Sequence, residues 1–185
     1  MAYKPQLVGI VGPGKLYPLS AAAAAEKAIG MTLDATANPA VGAPGSATVT
    51  LTILDGDLGG VNAGDLAVCD TGAAYEVAPI TAVNIPAGQI TATFAKTHAA
   101  NFAVRVSHGT FLNGIAIPQI GTAMTLSLYN GHPSAPGAAP FFTWVTAAGA
   151  VPPHLFAGVC DRGLYAVYAG TTPGFVSLTA LAMVR

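Results

Sequence analysis

The sequence predicts an all-β protein: a small antiparallel β-barrel or sandwich followed by a jelly-roll-like β-sandwich, with an extended N-terminal arm. Three observations predict it. From Thr48 onward apolar residues alternate with threonine and other polar residues at period two, the spacing of a half-buried strand. The apolar runs are short and are divided by 22 glycines and 14 prolines, many of them in turn-like clusters. Helical signal is confined to one stretch, too short to hold a helix in water unless it packs. Residues 1–46 then form the arm, 47–107 the small barrel or sandwich, and 108–185 the β-sandwich domain.

Within the arm, Leu7 to Val11 suits one short strand. Gly9 to Lys15 offers the frame of a phosphate loop, but Leu16 stands where Ser or Thr should hold magnesium. That reading is rejected. Ser20 can cap a helical turn or two through Ala21–Ala25, Glu26, Lys27 and Ala28. Asn38-Pro39 to Pro44-Gly45 is a loop or linker.

The module opens with Val49, Leu51 and Ile53 on one face and Thr48, Thr50 and Thr52 on the other. A turn-rich stretch, Asp55 to Gly60, follows it. Leu66 and Val68 then share a face, as do Ile90, Ala92 and Phe94, and Ala103 to Val106 adds a further strand. An Asp70-Thr71-Gly72 turn and an Asn84-Ile85-Pro86-Ala87-Gly88 turn separate these runs. In the second half Leu126 and Leu128 alternate with Ser127 and Tyr129, and Asn130-Gly131-His132-Pro133 ends that strand. Phe141 to Thr146 is a strand carrying Trp144, and Pro152-Pro153 ends whatever precedes it. Leu164 to Tyr168 and Phe175 to Val184, around Gly170 to Gly174, read as a terminal hairpin.

One constellation stands out: Gly64-Asp65, Asp70-Thr71-Gly72-Ala73, Glu76, Thr91-Ala92-Thr93-Phe94 and Lys96-Thr97-His98-Ala99. It resembles a small β-module that recurs in structural proteins of tailed bacteriophages. Leu126-Ser127-Leu128-Tyr129-Asn130-Gly131 and Gly163-Leu164-Tyr165-Ala166-Val167 are in turn similar to closing β-sandwich segments of phage particle proteins. The resemblance implies a virion component assembled in the bacterial cytoplasm. It points first to a capsid decoration (cement) protein, with the major capsid protein or other virion proteins as partners.

Composition agrees with a covered surface. Hydrophobic residues make up 52% of the chain and charged residues only 8%, against a usual charged share of about 25%. With a net charge of −1 there is no electrostatic footprint for nucleic acid or for an anionic membrane. There is no run of 18 or more apolar residues of the kind that crosses a membrane as a helix, and Met1 to Gln6 lacks a secretory layout. Cys69 and Cys160 follow no metal-binding or redox pattern and suit two reduced, buried thiols, although a long-range disulfide remains an alternative.

No reaction chemistry is legible. His98 and His108 are ten positions apart, too far for a paired-histidine metal site, and His98 better suits a strand end bonded to backbone or an Asp. Asp55-Gly56-Asp57 lacks the further oxygen ligands of a calcium loop. The single Asp70-Thr71-Gly72 departs from the aspartic-protease pattern in its continuation, Ala73 to Glu76. The chain is therefore expected to be no enzyme and to need no cofactor or metal. The expected contacts are Leu7, Val8, Ile10 and Val11 of the arm, with Phe141, Phe142 and Trp144 of the aromatic-rich second half. A homo-oligomer, with a trimer favoured, would multiply weak contacts. The alternative is a tail or baseplate component whose second half binds a host glycan.

Overall fold

The computed structural model describes residues 15–19, 25–42, 47–119, 125–145, 158–170 and 175–182. Among the described residues, fourteen strands and two short 3-10 turns make up the regular structure. They divide into two units: residues 31–107 with 134–138, and residues 1–30, 108–133 and 139–185.

The first unit is a closed antiparallel barrel of six strands in the order β3-β4-β7-β6-β5-β8. These are β3 (Leu33–Asn38), β4 (Ala47–Ile53), β5 (Leu66–Cys69), β6 (Glu76–Asn84), β7 (Gln89–Phe94) and β8 (Phe102–Val106). A barrel of so few strands has a narrow interior, so its inward positions need small residues among the large ones. Ala35, Ala37, Ala67, Ala78 and Ala92 point inward beside Leu33, Leu51, Ile80, Ile90, Phe94, Phe102 and Val104, and all are buried. Leu66 and Val68 do share a face, but it is the outer one; Ala67 and Cys69 fill the interior. The turns fall where the sequence puts them. Gly72–Ala74 joins β5 to β6, and Ile85–Ala87 joins β6 to β7, with Gly88 at φ 62° closing the second. First and last strands are neighbours, Leu33 pairing with Val106, so the chain enters and leaves the barrel at one place.

The barrel therefore begins at β3, inside the stretch assigned to the arm, because Leu33, Ala35 and Ala37 alternate at period two just before the expected linker. Of the helix expected over residues 20–28, residues 20–24 lie outside the described residues, and the rest is not helical. Ala25–Ile29 is strand β2, bonded along its length to a central strand of a sheet. Isolated helix propensity in five alanines is a small term, and pairing with a buried strand outweighs it.

The second unit holds the other eight strands: β1 (Lys15–Leu19), β2, β9 (Thr110–Gln119), β10 (Thr125–Asn130), β11 (Phe142–Val145), β12 (Gly158–Cys160), β13 (Leu164–Ala169) and β14 (Phe175–Ala182). They form two four-stranded sheets, β1-β14-β9-β12 and β11-β10-β13-β2. One core joins the two sheets, with Leu112, Cys160 and Ala180 from the first meeting Ile29, Leu126, Leu128, Leu164, Ala166 and Tyr168 from the second. Counted along the chain, every successive pair of these strands but one changes sheet; only β10 and β11 stay together. This is the double Greek key of an eight-stranded jelly roll, with the barrel spliced in between its second and third strands. The last two strands are thus not the expected hairpin: β13 and β14 lie in different sheets.

Candidate functional site

Part of the constellation singled out in the sequence, Asp70, Ala73, Glu76, Lys96 and His98, meets at one end of the barrel, while Asp65 lies before the other end of β5 and accepts from the Asn62 N–H at 2.8 Å. Asp70 leaves β5 with φ 53°, a left-handed conformation that Asp tolerates better than most residues. Its Oδ2 lies 2.6 Å from His98 Nδ1. The His98 side chain is wholly buried, stacked on Phe102 at a centroid distance of 4.6 Å and edge-on to Phe94 at 5.5 Å. On the other side of the ring, Glu76 Oε2 stands 3.5 Å from Nε2, too long for a good hydrogen bond. Glu76 also accepts from the backbone N–H groups of Ala95 (3.1 Å) and Lys96 (2.6 Å). Lys96 Nζ donates to the carbonyls of Ala73 (2.9 Å) and Tyr75 (2.6 Å). The backbone of His98 exchanges two bonds with Val41. Asp70, Glu76, Lys96 and His98 thus fasten the end of β5, the 3-10 turn, the start of β6 and the segment after β7 together.

This arrangement is a fastening rather than a reaction centre. A general acid or base must reach a substrate proton, and the His98 ring is closed off from solvent. Burial, with Glu76 and Asp70 close by, pushes the Cys69 thiol far up, so its reactive thiolate is suppressed. Burial and the neighbouring Asp161 push Cys160 up to about 11. Both cysteines are free thiols. Among the described residues no group of three or more His, Cys, Asp or Glu side chains could hold a metal ion. An open notch of about 390 Å³ beside the fastening is lined by Ala73, Ala74, Ala95, Lys96 and Thr97, with no nucleophile–base pair.

The barrel's outer wall has two characters. Across β4 and β7 it is hydroxylated: Thr48 meets Thr93 at 3.3 Å and Thr50 meets Thr91 at 3.0 Å. Across β5 and β6 it is apolar, Leu66 opposite Pro79 and Val68 opposite Val77. Leu66 is 58% exposed and Val77 43%. The sequence signal for this wall was present, since alanines and a cysteine alternate with larger residues; inward-facing bulk is the usual assumption, and a narrow barrel reverses it.

Of the expected contact residues, Leu7, Val8, Ile10 and Val11 lie outside the described residues. Phe142 and Trp144 are half-buried against the jelly-roll core, while Phe141 is 43% exposed. No protein-family model matches the chain, and no curated protein does. Among solved structures it is similar to VP17, a capsid protein of bacteriophage P23-77, at 15% identity over 96% of this chain and 89% of that one, with a TM-score of 0.26. The VP16-VP17 complex of the two major capsid proteins of the same phage matches at 15% identity, 98% and 94% coverage and the same TM-score of 0.26. What bears on function is this chain's own strand order and surface.

Proposed function

We propose that this chain is a structural protein of a bacteriophage virion, a capsid component that packs against copies of itself and against other coat proteins. One observation carries the reading: the eight-stranded jelly-roll order β1-β14-β9-β12 over β11-β10-β13-β2, an architecture used by viral capsid domains and also by lectins and cupins. The surface supports the capsid branch. A glycan-binding sandwich displays its aromatics for stacking, whereas Phe142 and Trp144 are half-buried with one side packed against the jelly-roll core. Charged residues are only 8% of the chain, and Leu66, Val77, Val145 and Val159 stand exposed. Such a surface suits dry, salt-insensitive contacts. Decoration of the capsid exterior by a closed homo-oligomer, a trimer first, is the narrower form of the proposal. In it Leu7, Val8, Ile10 and Val11 lend a strand to a neighbour through main-chain hydrogen bonds. Quantitative mass spectrometry of purified particles tests the reading. A fixed ratio to the major capsid protein is expected, and trace amounts that wash away would overturn it.

A further inference from the structure

We propose that Asn130-Gly131 is a latent deamidation site that the folded jelly roll holds shut, and that its conversion irreversibly destabilises the jelly roll. The inference does not depend on the virion reading. Asn-Gly is the dipeptide most prone to cyclise, because glycine leaves the attacking nitrogen unshielded. The Gly131 nitrogen bonds to Cγ of Asn130, the Cγ–Nδ2 bond breaks, and ammonia leaves with the amide proton. Water then opens either carbonyl of the succinimide, giving Asp or isoAsp.

Two separate structural demands create this labile pair. Gly131 has φ +100°, and a Cβ there would sit 3.3 Å from Cβ of Arg162, so the turn requires glycine. Asn130, the last residue of β10, must both donate and accept. Its Nδ2 donates to Asp161 Oδ1 at 2.6 Å, and its Oδ1 accepts from the Arg162 N–H at 3.0 Å. These bonds tie the end of β10 to the turn between β12 and β13. The same bonds block the chemistry. Both heteroatoms of the Asn130 amide are engaged by the turn, and the Gly131 N–H is itself committed to the Gly163 carbonyl at 2.8 Å. Pairing of Asn130 with Leu164 fixes the backbone rotation that cyclisation needs. Reaction therefore requires local opening.

The product cannot restore the tie. An aspartate at this position would bring a carboxylate against Asp161 in place of the donated bond, and isoaspartate would add a backbone atom inside a strand.

The test incubates the full chain at pH 8.5, native and in urea, and follows the one-dalton gain at each Asn-Gly peptide by mass spectrometry. Conversion at Asn130 is expected to be at least ~10-fold slower in the native protein than in the denatured chain. Chains converted in urea should, after dilution, unfold at lower denaturant than unconverted chains, in proportion to conversion at residue 130. Freshly purified Asn130→Asp should likewise unfold at lower denaturant than the wild type, while Asn113→Asp, at the chain's other Asn-Gly pair, should not. Equal rates in the two states would overturn the inference, as would wild-type stability of the converted chains. The rate comparison uses wild-type protein, so it decides the matter even if Asn130→Asp does not fold.

Discussion

His98 shows at the scale of one residue how a sequence can look chemical and act mechanically. Its imidazole lies between Asp70 and Glu76 with no access to solvent. Removing the ring leaves Asp70 without its hydrogen-bond partner and opens a cavity between Phe94 and Phe102. His98→Ala should therefore lower the barrel's stability by about 2–4 kcal/mol, measured by urea unfolding. His98→Asn, which keeps a donor towards Asp70, should lose less. Equal loss in the two variants would mean that ring volume between Phe94 and Phe102, not the polar link, is what matters. The residues of this cluster were legible as a constellation, and His98 as a strand-end residue bonded to an Asp. The caps that Glu76 places on Ala95 and Lys96 were not, because nothing local in a strand marks a carboxylate that will reach backbone nineteen and twenty positions away.

Strands, as elements, were the most legible part. Period two located β4, β7, β8 and β10, and glycine and proline clusters located the turns between β5, β6 and β7. Pairing was less legible. Register between Leu33 and Val106 is a contact across most of the barrel's sequence, and loop closure at that distance leaves no local trace. The connection after β4 shows how tightly such an element can be fitted. A Cβ on Gly56 would lie 2.5 Å from Leu33 Cδ1 and 2.8 Å from Ala35 Cβ, inside contact distance of β3. Gly56→Ala should displace β3 and destabilise the barrel by about 1–3 kcal/mol, as overpacking does. Gly42→Ala, which meets nothing within 4 Å, is the control. Thermal unfolding of the pair checks this, and equal midpoints would show that the connection can move aside.

Taken whole, the molecule is a jelly roll interrupted by a barrel. All-β class and sandwich architecture follow from alternation and breakers in the sequence. The interruption does not, because β1 and β2 belong to sheets whose other strands all lie from Thr110 onward. Thr110 Oγ1 donates to the carbonyls of Ile29 and Gly30, at 3.2 and 3.1 Å, and so ties together the two cut ends of the jelly roll. Since β1 is part of a sheet, an arm can span at most residues 1–14 rather than all 46. What covers this sparsely charged surface is read most directly from the mass of the purified chain in solution, by size exclusion with light scattering at low and high salt. A closed oligomer, a trimer first, whose mass does not change with salt is expected. A monomer in both conditions would contradict self-association through this surface.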